Sequence, residues 1–285
     1  AEIIPFKLLG VRTPAANIIK QEMLAVGGDA VTPVGAVTCA AKYVDILLLG
    51  TLKHYKVLLK KLAQMPYFGI PQAAIDLEMA LTPQKLCTTL ADGRVLTYEK
   101  MCVMGILNVT PDSFYEGSRV PAMEELVERA GRMLAAGAGV LDIGGESARP
   151  GSDSVDGEEE RRRVVPAIAA LRKAYPDAVI SIDTYRADTA EAAIAAGADI
   201  INDISAMEAD PRMADVVVAT KAPIILMHMR GTPKNMQQNC EYKDVVQEVA
   251  VYLAQRAQLL RERGVSAVKI ILDPGIGFAK NVEQN

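Results

Sequence analysis

Six apolar runs in the second part of the chain end in residues able to do chemistry. Five of them close on Asn or Asp: Asn108, Asp142, Asp183, Asn202-Asp203 and Asp273, while the other reaches His228. A strand buried on both faces carries such groups at its end only where they meet partners or a ligand. Each alone is explained as the cap of a following helix; the whole set is not. The richest stretch is Met104-Gly105-Ile106-Leu107-Asn108-Val109-Thr110-Pro111-Asp112-Ser113-Phe114, an apolar strand breaking into an amide, hydroxyls, a carboxylate and an aromatic ring. It is answered by Leu141-Asp142-Ile143-Gly144-Gly145-Glu146-Ser147-Ala148-Arg149-Pro150-Gly151. Carboxylates and amides of this kind suit a flat, nitrogen-rich heterocycle: a carboxylate accepts paired N–H donors and an Asn amide meets a donor–acceptor pair. Gly144-Gly145 permit close backbone approach, and Arg149 supplies a cation on a Pro-stiffened loop.

The elements that position these groups follow from periodicity. Apolar runs at 103–108, 140–143, 179–183, 199–203, 223–228 and 268–273 alternate with helical stretches. Leu126, Ala130, Met133 and Leu134 form a helical stripe before Gly137, an alanine-rich stretch closes on Gly197, and Val245, Val249, Tyr252 and Leu260 lead to Gly264. Asp210-Pro211 reads as an N-cap with Pro at the first helical position, and Pro166 predicts a kink or restart. Near-continuous apolar strands alternating with helices mean a parallel α/β sheet. Six units are countable, whereas a closed (β/α)8 TIM barrel takes eight.

Residues 1–85 read as a separate small α/β domain of unassigned role, with a helix from Thr13-Pro14 to Gly27-Gly28, a buried strand at 44–49 and a stripe of Tyr55, Leu58, Leu59 and Leu62. Lys20-Gln21-Glu22 with Gly27-Gly28-Asp29 reads as a helix end, with a binding loop as the alternative. Residues 86–89 and 95–98, joined through Asp92-Gly93, predict a hairpin leading into the barrel domain, 86–285, and covering its N-terminal mouth.

The 285 residues carry a net charge of −4, against a general nucleic-acid binder. An anionic substrate therefore needs local Arg or Lys or a metal. No run approaches the roughly 18 apolar residues of a membrane span, the opening residues do not form a signal peptide, and the cytoplasm is the expected compartment. Cys39, Cys87, Cys102 and Cys240 lack metal-like spacing and read as buried structural thiols. The two histidines, His54 and His228, fall in no zinc or triad pattern.

The two long motifs, with Ser181-Ile182-Asp183-Thr184, Ile201-Asn202-Asp203-Ile204, Met227-His228-Met229 and Leu272-Asp273-Pro274-Gly275-Ile276-Gly277-Phe278, resemble the signature segments of the dihydropteroate synthases in order and spacing. The resemblance runs from Met104 to the last residue. It implies that the p-aminobenzoate amine displaces pyrophosphate from 6-hydroxymethyl-7,8-dihydropterin diphosphate, a step of folate biosynthesis and a sulfonamide target. It implies Mg²⁺ and diphosphate at Asn108, catalytic roles for Asn108, Asp142 and Arg149, and pterin contacts from Asp183, Asn202 and Asp273. Met227 is implied as an apolar wall, with Phe114 and Pro150 beside the aminobenzoate. Residues 110–117 and 147–151 are implied as mobile loops, and a homodimer is expected. Ala148 stands where the family has Thr, leaving only backbone contact to the diphosphate. The family's Ser-Arg-Lys and Arg-x-His motifs, on its seventh and eighth strands, are absent, so the chain is expected to be incomplete at its C-terminus. The alternatives are a pterin-binding corrinoid methyltransferase domain and a catalytically silent pterin-binding fragment.

Overall fold

The computed structural model describes residues 2–82, 86–109, 119–146, 155–232 and 235–285. The chain divides into two compact units, 1–84 and 85–285.

The first unit is a three-stranded antiparallel sheet with helices. Its elements are β1 (Ile4–Arg12), α1 (Thr13–Ala25), β2 (Asp29–Val31), β3 (Tyr43–Gly50), α2 (Leu52–Leu62) and α3 (Ile70–Leu81), with strand order β1-β3-β2. Ile46 and Leu48 of β3 share a core with Ile19 and Met23 of α1, Tyr55 and Leu58 of α2 and Leu77 of α3. The buried Tyr55 hydroxyl has one proton to give and two carbonyls in reach, Ile4 at 2.7 Å and Leu48 at 3.0 Å. Gly27, at φ +90°, follows the end of α1. Lys20 donates to Thr32 Oγ1 and Glu22 pairs with Lys61 at 2.6 Å, so both groups serve the unit's own packing.

The second unit opens with a hairpin of β4 (Cys87–Thr89) and β5 (Val95–Thr97). It continues as β6 (Val103–Asn108), α4 (Arg119–Ala135), β7 (Ala138–Gly144), α5 (Gly157–Ala174), β8 (Ile180–Asp183), α6 (Ala187–Ala195), β9 (Ile200–Asp203), α7 (Met213–Thr220), β10 (Ile224–Met227), α8 (Val245–Glu262) and β11 (Ile270–Asp273). The six long-range strands form one parallel sheet in chain order, β11-β10-β9-β8-β7-β6. The six expected units are all present, and β6 and β11 are its edges.

Strand parity sorts the side chains. Leu107, Leu141, Ile143, Ile180, Ile182, Ile201, Ile224 and Leu226 pack outward, in one core with Val164, Ile168, Leu171, Val217 and Leu253 of the helices. The other parity faces inward. At the N-terminal ends of the strands, Val140, Val179, Ile200 and Ile225 close around Leu90, 1% exposed, at the tip of the hairpin. Polar anchors fix that plug. Lys269 Nζ donates to the Thr89 and Leu90 carbonyls, Arg94 reaches the Asp177 carbonyl, and Arg94 and Arg172 both bind the Asp199 carboxylate.

Of the kink or restart expected at Pro166, the restart does not occur: α5 runs on, with Ala167, Ile168 and Leu171 beyond it buried, so packing outweighs the lost hydrogen bond. Two expectations are corrected. α7 begins at Met213 rather than after Asp210, whose carboxylate instead accepts the N–H groups of Arg212 and, from α6, Ala187. The cysteines are not buried: Cys39 is exposed and Cys87, Cys102 and Cys240 are partly exposed, all four as free thiols.

Candidate functional site

Counting by two from the buried bottom of each strand lands on the polar residues. Asn108, Asp142, Ser181, Asp183, Asn202, Met227 and Asp273 all take inward parity at or near the C-terminal ends. Asn108, Gly144, Asp183 and Asn202 lie in one register row across β6 to β9.

Asp142 and Asn202 meet across β8. Asn202 Nδ2 donates to Asp142 Oδ2 at 3.1 Å, which fixes the amide. Asp142 is 5% exposed, and among the described residues neither its Oδ1 nor the Oγ of fully buried Ser181 has a well-formed hydrogen bond, although Ser181, its register neighbour, lies close enough to act on the carboxyl. Two buried polar groups of one inner layer, short of partners among the described residues, form an arrangement that a ligand can complete. Burial pushes the Asp142 carboxyl above its ordinary pKa. Asp183 is pushed well above its own by burial and then by the neighbouring carboxylates of Asp142, Glu160, Asp203 and Glu146.

Gly144 keeps the rim open. A Cβ there would stand 3.0 Å from Asn108 Oδ1 and 3.5 Å from Asp183 Oδ2, so both oxygens converge over a bare Cα. Asn108 is exposed, with its oxygen toward this cradle. At the far side Met227, 3% exposed, adjoins β11, and Asp273 Oδ1 accepts the Gly275 N–H at 2.7 Å.

Asp203 and His228 belong elsewhere. Asp203, of outward parity and fully buried, accepts from the Ser205 N–H and hydroxyl and the Met207 N–H, the capping role open to any strand-end Asp. His228 packs edge-on against Tyr252 of α8, ring centroids 5.0 Å apart. Phe114, Ala148, Arg149 and Pro150, and with them the loops 110–117 and 147–151, lie outside the described residues.

Sequence reasoning overlooked a cluster beside the site. Arg186 Nη1 binds Glu146 at 3.0 Å and Glu160 at 2.9 Å, while Nη2 donates to the Val155 carbonyl and the Tyr185 hydroxyl. Thr189 adds a hydrogen bond to Glu160, and Arg163 donates to the Gly145 carbonyl. Glu146 and Val155 flank residues 147–154, so one guanidinium binds both sides of that segment. Ser181 was also overlooked, although its place two residues before Asp183 was a period-two signal.

The sequence model of the family described as "Pterin binding enzyme" matches residues 104–285. The dihydropteroate synthase of Synechocystis sp. is 46% identical over 203 residues, 71% of this chain and 68% of that protein. A solved structure of Xanthomonas albilineans dihydropteroate synthase with 4-aminobenzoic acid is similar with a TM-score of 0.62 and 39% identity, covering 71% of each chain. A probable bifunctional folylpolyglutamate synthase/dihydropteroate synthase of Haloferax volcanii is 36% identical over 96% of this chain, including most of the first unit, but over only 34% of its own length. Six parallel strands ending in an inward ring of carboxylates and amides, matched over this length, make the chain a member of the pterin-binding enzymes, within their dihydropteroate synthases.

Proposed function

We propose that the second unit joins p-aminobenzoate to a pterin. The aminobenzoate nitrogen attacks the methylene carbon of 6-hydroxymethyl-7,8-dihydropterin diphosphate. The carbon–oxygen bond breaks, diphosphate leaves with the electron pair, and the amine loses a proton. No protein nucleophile is needed; the residues position the reactants and stabilise the departing charge. The observation that carries this reading is the inward register row of Asn108, Asp183 and Asn202 at the C-terminal strand ends, with Asp142 and Ser181 buried beneath it.

In this reading Asp183, Asn202 and Asp273 bind the heteroatom edge of the pterin, with Asp142 orienting the Asn202 amide and Met227 forming an apolar wall. Arg149 and the backbone at Ala148 contact the diphosphate, and Phe114 and Pro150 adjoin the aminobenzoate. Asn108, whose Oδ1 faces the cradle over Gly144, would hold Mg²⁺ there. Among the described residues no three His, Cys, Asp or Glu side chains gather to hold a metal. That suits Mg²⁺, which takes one or two protein ligands and otherwise phosphate oxygens and water. Bound there, the ion would neutralise diphosphate charge.

The protein is further proposed to be a cytoplasmic homodimer, consistent with four free thiols. No helix among the described residues is long and apolar enough to cross a membrane. The test supplies pterin diphosphate, p-aminobenzoate and Mg²⁺ and follows dihydropteroate and pyrophosphate together. Stoichiometric appearance of both supports the reading. Absence of pterin binding by the folded chain overturns it.

A further inference from the structure

We propose that Lys280 is a positioning residue: it shapes the loop that follows Asp273 and fastens it, through His228, to the end of β10. Lys280 is 4% exposed, an uncommon place for an ammonium. Its Nζ donates to the Gly275 and Phe278 carbonyls, both at 3.0 Å, and lies 3.1 Å from His228 Nδ1. An ammonium has three N–H donors, and these acceptors use all three.

The third bond requires a neutral imidazole with its proton on Nε2. Burial, then the charges of Lys280 and Arg230, hold the His228 pKa down to about 4, with Glu248 opposing. Tyr252 packs edge-on against the ring and Tyr242 lies 6.0 Å from it, so the acceptor is held from α8 and the segment before it.

The loop is built around this contact. Gly275 sits at φ +68°, and a Cβ there would come within 2.0 Å of the His228 carbonyl oxygen, so only glycine permits the approach. The His228 N–H donates to the Asp273 carbonyl at 3.0 Å, and the Phe278 N–H to the Gly275 carbonyl at 3.0 Å. Gly275 thus offers one carbonyl to Phe278 and Lys280 and its N–H to the Asp273 carboxylate. A change at Lys280 reaches Asp273 through two bonds of one residue. The consequence for substrate rests on the reading of Asp273 as a pterin contact.

The test measures 6-hydroxymethylpterin binding by calorimetry and amide exchange in the same proteins. Losing the ammonium in K280M, or its acceptor in H228L, should weaken the pterin about 10-fold, the effect of one charge-assisted hydrogen bond. H228N, which puts a carbonyl oxygen near the place of Nδ1, should stay within about 3-fold of the wild type. Aminoethylation of K280C should restore affinity, with the wild type treated alike to control for its four native cysteines. Exchange at the Phe278 amide should rise in K280M while the β11 amides keep their protection. Pterin affinity unchanged in both K280M and H228L, or unchanged Phe278 exchange in K280M, overturns the inference. Should K280M not fold, the contrast of H228L with H228N decides. A wild type that does not bind the pterin overturns the proposed function, and the reading of Asp273 with it, while the Phe278 amide still judges Lys280.

Discussion

The two ends of the six-stranded sheet are built from the same strands and do opposite things with polarity. At the N-terminal ends the half-enclosed carboxylate is fully partnered: Asp199 takes Arg94, Arg172 and the Ile180 N–H, and Leu90 fills the apolar space between the strands. At the C-terminal ends Asp142 Oδ1 and Ser181 Oγ lack well-formed hydrogen bonds among the described residues, and Asp183 sits among carboxylates that raise its pKa. One end spends its polar groups on itself. The other holds them short of partners at a cost in stability, an arrangement that a ligand can complete. Stability and recognition are thus separated along the strand axis by only a few residues.

That separation can be broken or sharpened by substitution. The largest effect should come from the plug. Leu90→Ala removes the side chain that closes the lower end and should destabilise the second unit by about 2–5 kcal/mol in chemical denaturation. Pterin affinity in the surviving folded fraction should be unchanged; a parallel loss would mean that the two ends are coupled. Next is Asp183→Asn, which should weaken pterin binding by about 1–3 kcal/mol through an unmatched donor pair. Its effect on folding should have the opposite sign. A carboxyl whose folded pKa is raised favours the fold at low pH and loses that contribution as pH rises through the folded value. The Asn variant should therefore be more stable than the wild type at neutral pH, the gap closing toward pH 4; a less stable variant at neutral pH would contradict the reading of Asp183 as a strained charge.

A smaller change is expected at the rim. Asn108→Ala should lower pyrophosphate affinity about tenfold when Mg²⁺ is present, near 1.4 kcal/mol, and change little in excess chelator. Equal losses in both conditions would leave Asn108 a direct ligand of phosphate rather than of the ion. The smallest effect concerns acid. His228, normally near 6.5 and held at about 4, stays neutral in the fold while the unfolded chain takes up a proton. Stability should be complete above about pH 6.5 and decline as pH falls toward about 4. In melting experiments H228N should gain on the wild type over that window, the gain growing as pH falls toward about 4; parallel curves would remove the histidine from the acid response.

Legibility followed the same division. The six parallel strands could be read because burial on both faces makes them short apolar runs, and the inward parity of Asn108, Asp142, Asp183, Asn202 and Asp273 follows from a period of two. β1 was not anticipated. It is half-buried and antiparallel, with Lys7 and Gly10 interrupting an irregular pattern and a register shift between Leu8 and Val11. α3 was also overlooked, starting at Ile70-Pro71 after a left-handed Gly69. The Arg186 cluster could not be read, because its acidic partners lie 40 and 26 positions away and only the fold brings them together. Lys280 was missed for a different reason: a lysine in a loop is ordinarily solvated, and nothing in its neighbours signals a buried ammonium.

Chain-order pairing has one more consequence. Because each strand of the sheet touches only its predecessor and successor in sequence, the second unit can assemble as a zipper, each β/α unit docking on the free edge left by the one before. Contacts between these six strands stay local, and only the hairpin plug waits for distant partners, which favours stepwise folding of the sheet as the chain emerges during synthesis. Interrupting the covalent path between units therefore removes little that the zipper needs. New termini placed in the loop between α4 and β7, at the plugged end but outside its polar anchors, should leave the order of docking intact, so the sheet can be cut and rejoined there as a set of interchangeable modules.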